Sequence, residues 1–296
     1  MVTLAKPVVD GPGGAVNRHA SATLRTLLSR VALLEQQVAR MAPTVDATLR
    51  HRGWPAAVHS RDDRLLLPHP ASQALIDRYY ADLRHYHFRR ILQEAAERRR
   101  LGPVAVRRLV ERWGPRSATT LDRLVEYGLL TRRGKGFVLT AEETKTFGET
   151  LEWFVAQVFA REFAAPAAWD VRVRGLERGG DFDVLVVLDG RLGYVECKGS
   201  PPYNVSADVL ARYLERTRHL GPDFTILLLD TTLRIERNII DNLVRLLRGG
   251  GEPPQVLRVT PGVYEVAGGI PSFVVTSRRS LVANLAVCLR RLHGAR

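Results

Sequence analysis

Residues 184–188 (Val-Leu-Val-Val-Leu) and 192–195 (Leu-Gly-Tyr-Val) are two apolar runs separated by Asp189-Gly190. Asp-Gly between strand-like runs is the strongest short sequence signal for a tight β-hairpin turn. With a two-residue loop, 188 pairs with 191 and 187 with 192, and the same count puts Asp183 opposite Glu196. Directly opposed residues share a face of the sheet, with Cβ atoms about 5 Å apart. Lys198 lies two residues beyond Glu196 and so shares that face. A three-residue loop would instead set Val195 opposite Asp183, because one step of register flips the face.

Two carboxylates facing each other on a half-buried sheet are destabilising unless something positive lies between them. A divalent cation removes that cost, and hard oxygen ligands at strand ends suit Mg²⁺, which keeps several waters and accepts phosphate oxygens. Lys198 beside such an ion is placed to orient or deprotonate a water, or to stabilise charge growing on a phosphate. The plainer alternative is a solvated Glu-Lys pair on a strand.

Asp183, Glu196 and Lys198 on one hairpin resemble the PD-(D/E)XK nuclease superfamily, in which a preceding helix often carries a Glu in a Gly-x-x-x-Glu pattern. Gly148 and Glu152 supply that pattern. Phe147, Leu151, Phe154, Val155 and Val158 define the helix's buried stripe. Glu152 falls at its edge while Glu149 turns further towards solvent, so position selects Glu152. Asp181 has the same parity as Asp183 and is the alternative acid.

The resemblance implies a restriction-endonuclease-like α/β/α sandwich that hydrolyses phosphodiester bonds to leave 5′-phosphate ends. It implies Mg²⁺, or Mn²⁺, held by Asp183, Glu196 and the backbone carbonyl of Cys197. It further implies Lys198 assisting the attacking water, and Glu152 placing a metal or water.

The order of elements is readable without the resemblance. Residues 169–174 alternate as a strand, and the hairpin follows. Residues 206–220 are helical in pattern, and 224–229 form a continuous apolar run of the kind found in strands covered on both faces. Residues 233–247 read as an amphipathic helix stopped by Gly249-Gly250-Gly251. Short strands near 256, 263 and 273 and a last helix from about Ser277 or Ser280 complete an α/β domain over residues 142–296.

Upstream, residues 72–141 form a second module. A long helix from Ser72 is expected to break at Leu101-Gly102-Pro103. Helices over 104–113 and 117–127 follow, then a hairpin around Gly134-Lys135-Gly136. Three helices and a basic hairpin resemble a winged helix-turn-helix. By that resemblance Ser117, Thr119, Thr120 and Arg123 face a DNA groove, while Arg132, Arg133 and Lys135 lie in the wing near phosphates. Such modules also serve as protein-interaction domains.

Leu24, Leu27, Val31, Leu34, Val38 and Met41 repeat at heptad spacing, which points to a short coiled coil and a homodimer. Residues 1–44 are read as a disordered lead plus this helix, and 45–71, rich in Pro, as a linker whose Leu65-Leu66-Leu67 docks on the fold.

The formal net charge is +13, which favours polyanionic partners. Residues 84–116 hold ten arginines against three glutamates, so the excess concentrates in the upstream module. No basic amphipathic helix or 18-residue apolar run points to a membrane, and the first residues lack a signal-peptide core. Cys197 and Cys288 form neither a disulfide framework nor a zinc spacing, which suits a reducing, cytoplasmic setting. The reading is a Mg²⁺-dependent DNA endonuclease with a nucleic-acid-binding module. Its alternatives are a non-catalytic DNA-binding regulator on the same scaffold and an RNA-directed defence nuclease.

Overall fold

A computed structural model describes residues 23–33, 44–54, 57–58, 64–67, 72–140, 146–176, 180–248 and 254–294. The chain divides into two units, 1–43 and 44–296. In the first, residues 23–33 are helical (α1), and Leu24, Leu27 and Val31 are exposed. The other heptad positions, Leu34, Val38 and Met41, and the lead over residues 1–16 lie outside the described residues.

The second unit is built on an eight-stranded mixed sheet. Its strands are β1 (Ala57–Val58), β5 (Ala167–Val173), β6 (Asp181–Leu188), β7 (Arg191–Lys198), β8 (Phe224–Leu229), β9 (Val256–Thr260), β10 (Val263–Val266) and β11 (Ser272–Thr276). Their order across the sheet is β1-β5-β6-β7-β8-β11-β10-β9. Both edges are antiparallel, and the centre, β7-β8-β11, is parallel. Every residue of β8 is buried, as its unbroken apolar run requires.

The β6–β7 turn has φ 49° at Asp189 and 75° at Gly190. Two positive φ values suit the right-handed twist of a two-residue hairpin. Further along β7, Gly193 lies against the Phe224 ring, whose nearest carbon would be 2.2 Å from an added Cβ. Only glycine lets β8 pair this closely at that point.

Helix α7 (Phe147–Glu162) and α10 (Leu281–Leu292) share one core with Val184, Val186, Val195, Ile226 and Leu228. On the opposite face α8 (Ala207–Leu220), α9 (Asp241–Arg248) and α2 (Val45–His51) bury Leu210, Leu243 and Leu49 against Leu185, Leu192 and Leu227. The result is a mixed α/β architecture with a helical layer on each side of the sheet. Residues 233–247 do not form one regular helix. Residues 236–240 make a wide turn in which the Ile239 and Ile240 N–H groups share the Ile235 carbonyl, and α9 starts only at Asp241.

The upstream module contains α3 (Gln73–Leu83), α4 (Tyr86–Arg98), β2 (Arg100–Leu101), α5 (Pro103–Trp113), α6 (Pro115–Glu126), β3 (Leu130–Arg133) and β4 (Gly136–Leu139). Its small sheet has the order β2-β4-β3. The expected long helix from Ser72 is two helices. The buried stripe of Tyr79, Tyr80 and Leu83 would next fall on residue 87, a half-buried histidine. A break at Arg84-His85 resets the phase so that Phe88, Ile91, Leu92 and Ala95 face inward.

This module shares its core with the large sheet: Tyr79 stacks on Trp153 of α7 at 5.9 Å. Arg89 of α4 is buried and grips Asp230, just past β8, through Nε at 2.9 Å and Nη2 at 2.7 Å. The expectation of a linker over 45–71 also changes. Val45 and Leu49 of α2 pack on the sheet, β1 pairs with β5, and Leu65, Leu66 and Leu67 are buried in the shared core. Their apolar side chains outweigh the Pro-rich composition that suggested a linker.

Candidate active site

The site begins with the hairpin register. Paired residues run from Leu188 and Arg191 to Val184 and Val195, and one further step reaches Asp183 and Glu196. Lys198 Nζ lies 2.6 Å from Glu196 Oε1 and 3.6 Å from Asp183 Oδ2. Asp183 Oδ2 also accepts the Cys197 N–H at 2.7 Å. The Cys197 thiol itself points into the apolar core on the α7 side.

Glu196 is almost wholly out of water, its side chain 2 % exposed. It survives there because its carboxylate is saturated with donors. Besides Lys198, Arg216 of α8 approaches Oε2 to 3.1 Å, and the Tyr194 hydroxyl donates to the same oxygen. Tyr194, two residues earlier on the strand, shares Glu196's face.

Burial would push the Lys198 ammonium down, but the Asp183 and Glu196 carboxylates outweigh it and its pKa is raised. Arg216 is raised in the same way, burial opposing and Glu196 prevailing. Lys198 is therefore a cationic donor here rather than a neutral base.

Helix α7 brings the fourth residue. Thr146 and Glu149 form its capping box, and Glu149 also pairs with Arg64 at 2.8 Å. With Glu149 used at the helix start, Glu152 is the acid turned inward. Burial first, then the carboxylates of Asp183, Asp170 and Glu149, push its pKa up to about 10, against the pull of Lys198. Burial and Glu196 likewise raise Asp183 to about 6, with Lys198, the Cys197 N–H and Arg216 opposing. Asp181 is not part of this group; it is exposed and pairs with Arg172 at 3.2 Å.

Among the described residues no three His, Cys, Asp or Glu side chains gather into a ready-made cation site. The donor set is nonetheless all oxygen. Among the described residues, no hydrogen-bond donor reaches the Glu152 carboxyl or Asp183 Oδ1. Asp183 Oδ1 and the Glu152 carboxyl, whose proton affinity is raised by burial and by the Asp183 charge, fit an ion such as Mg²⁺ that uses one or two carboxylates and keeps its waters.

A cleft of about 340 Å³ opens beside Asp183, Glu196 and Lys198 towards α8. Arg216 and Arg212 line it, and the sequence reading missed both. The available signal was their position: three residues from Tyr213 and two from Leu210, at the edge of the α8 buried stripe.

The upstream module divides its expected contacts. Thr119 is exposed, as are Arg132, Arg133 and Lys135. Ser117 and Thr120 are not groove-facing. Both are buried beside Leu121 and Leu124, and their hydroxyls donate to the Gly114 and Arg116 carbonyls at 2.6 and 2.8 Å. The i, i+3, i+4 spacing puts these four residues on one inward face. Arg123 is half-buried, 3.5 Å from Asp82 and 3.6 Å from Glu126, and Arg132 pairs with Asp122.

No protein-family model matches the chain, and no curated protein matches it. Two solved structures are similar to it. Protein VC1899 from Vibrio cholerae is 17 % identical with a TM-score of 0.46, over 86 % of this chain and 62 % of its own. Can2 from Sulfobacillus thermosulfidooxidans, solved in complex with cyclic tetra-adenylate, is 12 % identical with a TM-score of 0.44, over 84 % and 60 %. The chain thus spans about three fifths of the length of either. Likeness at this level carries neither activity nor ligand to this chain. Among the described residues no helix is long and apolar enough to cross a membrane.

Proposed function

We propose that the chain is a divalent-metal-dependent endonuclease hydrolysing phosphodiester bonds of DNA. The observation that carries this reading is the meeting of Asp183, Glu196 and Lys198 at the ends of β6 and β7, with Glu152 of α7 close enough for the Asp183 charge to raise the proton affinity of Glu152. Asp183 and Glu196, with the Cys197 carbonyl, are the proposed ligands, and Glu152 helps to place an ion or a water. Mg²⁺, or Mn²⁺ in its stead, supplies charge neutralisation and Lewis-acid polarisation of the phosphoryl oxygen.

The protein groups do the rest. Lys198, held protonated, donates from Nζ to a non-bridging oxygen as charge grows there. Water would add to phosphorus and release a proton to solvent, the bond to the 3′ oxygen would break, and that oxygen would take a proton from solvent, leaving a 3′-hydroxyl and a 5′-phosphate. Without an ion beside it, Glu152 holds its carboxyl proton at neutral pH, because burial and the Asp183 charge raise its pKa.

Residues 72–141, read as a winged helix, would hold the nucleic acid through Thr119, Arg133 and Lys135. Incubating the protein with plasmid, single-stranded DNA and RNA, with Mg²⁺ or with EDTA, tests the reading. Mg²⁺-dependent DNA cleavage supports it, cleavage of RNA alone moves the substrate, and no cleavage of any substrate removes it.

One observation favours a second reading, a DNA-binding regulator on a nuclease-like scaffold. Lys198, Arg216 and Tyr194 already satisfy Glu196, so the acid is stable without an ion. Tight duplex binding unaffected by Mg²⁺, with no cleavage, is the outcome that reading predicts.

A further inference from the structure

We infer that Arg212 and Arg216 of α8 form a clamp for the sugar–phosphate backbone of one nucleic-acid strand, read without regard to base. The inference deepens the nuclease reading and rests on it for the identity of the strand.

Arg212 and Arg216 are one helical turn apart, so both project from the same face of α8 into the cleft. Together with Lys198 they set three cations against the two carboxylates, Asp183 and Glu196, that line the same space. The acids lie on the sheet; the arginines project from the helix across the cleft from them. An anion entering from solvent therefore meets net positive charge before it meets the acids.

The two arginines are held differently. Arg216 is half-buried and anchored by Glu196, at 3.1 Å from Oε2 and 3.4 Å from Oε1. These contacts run through Nη1 alone, one corner of a planar group with five N–H donors. Anchoring fixes the plane in advance, which reduces the ordering cost of a second, forked contact. Arg212 is exposed, and among the described residues no carboxylate pairs with it.

Ser200 and Asn204 add neutral polar groups to the lining, and no aromatic ring is among the described residues there. The lining thus offers no ring on which a base could stack, and contacts to phosphate carry no sequence information. Guanidinium groups at this spacing suit phosphate oxygens.

The test is binding of a labelled single-stranded oligonucleotide in EDTA across a salt series, which reports contacts without cleavage. Arg212→Ala is expected to weaken binding about tenfold at low salt, as loss of a charged hydrogen bond does. It should also lower the slope of log K against log salt by about 0.7, the value for one phosphate contact on a single strand. Arg212→Lys should keep the slope, because the charge remains. Arg218→Ala, on the same helix but lining another cavity, should change neither.

An unchanged slope in Arg212→Ala overturns the clamp, as does an equal loss in Arg218→Ala, which would mean diffuse attraction to the whole helix. Base dependence in the Arg212→Ala loss also overturns it. Cleavage by the unaltered protein, measured separately with Mg²⁺, keeps the two claims apart. Binding that depends on Arg212 without any cleavage leaves the clamp and removes the nuclease. Cleavage with no dependence of binding on Arg212 does the reverse.

Discussion

Glu196 lies out of water with donors from a lysine, an arginine and a tyrosine around one carboxylate. Lys198 touches both that acid and Asp183, so Lys198→Ala should lower the cleavage rate by about 10²-fold or more, the usual cost of losing one donor to transition-state charge. Mg²⁺ binding, followed by calorimetry, should persist in that variant; loss of binding would make Lys198 a scaffold for the acids instead.

Glu152 gives a pH signature. Its folded pKa stands near 10 against an ordinary 4.5. The folded state therefore holds a proton that the unfolded chain releases, and this contribution to stability is present below about pH 4.5 and lost as pH rises towards 10. Between pH 5 and 9 without metal, the parent protein should lose more thermal stability than Glu152→Gln. Parallel melting curves would show that the side chain is solvated.

Asp183, Glu196 and Lys198 were legible in the sequence because a strand has a period of two and Asp189-Gly190 fixes the loop length. Arg212 and Arg216 were not. Their aim depends on how α8 is rotated over the sheet, which long-range packing sets.

Helix α4 stitches the upstream module to the large sheet. Arg89 holds Asp230 and Ser277, and the Asp230 N–H donates to the Lys198 carbonyl at 2.8 Å. Arg90 reaches the Gly199 carbonyl at 3.0 Å. Arg89→Ala leaves a buried aspartate without its partner, and should destabilise the fold by about 3–5 kcal/mol in denaturant unfolding. A cost below about 1 kcal/mol would mean water replaces the guanidinium. From sequence, Arg89 was one of many arginines in a basic stretch, since a buried ion pair between distant segments leaves no periodic trace.

Sequence spacing places helix α6 but not its rotation: small hydroxyl residues suggest a groove-facing side, whereas Ser117 and Thr120 bond back to the helix and fill its inner face. The β3–β4 hairpin is a cleaner case. Replacing Arg132, Arg133 and Lys135 with Ala should lower the duplex salt slope by about 1.8 rather than three full contacts' worth, because Arg132 is already paired with Asp122. No change in slope would assign this hairpin to protein contacts.

A single active centre cuts one strand, so double-strand cleavage is most simply made by two subunits related by a two-fold axis. Residues 1–43 form a unit separate from 44–296, and Thr44, which caps α2 by accepting the Ala47 N–H at 3.0 Å, lies just past it. Deleting 1–43 should therefore leave the α/β unit folded, lower the mass measured by light scattering, and turn double-strand breaks into nicks. An unchanged mass would place the subunit contact in residues 44–296.

The α/β class was legible from the apolar runs and their spacing, but the sheet order was not. Nothing local announces that β11, last of the strands in the chain, inserts beside β8 while β9 is left at the edge. That order nevertheless buries β8 and sets Lys198 beside Leu229 at the parallel centre.

The catalytic assignment is tested most directly by cleavage rates of Asp183→Ala and Asp181→Ala measured beside the parent protein in Mg²⁺. Cleavage abolished in Asp183→Ala and retained in Asp181→Ala is the predicted result. Full activity in Asp183→Ala, or loss in Asp181→Ala alone, would contradict a catalytic centre at the ends of β6 and β7 built on Asp183, Glu196 and Lys198.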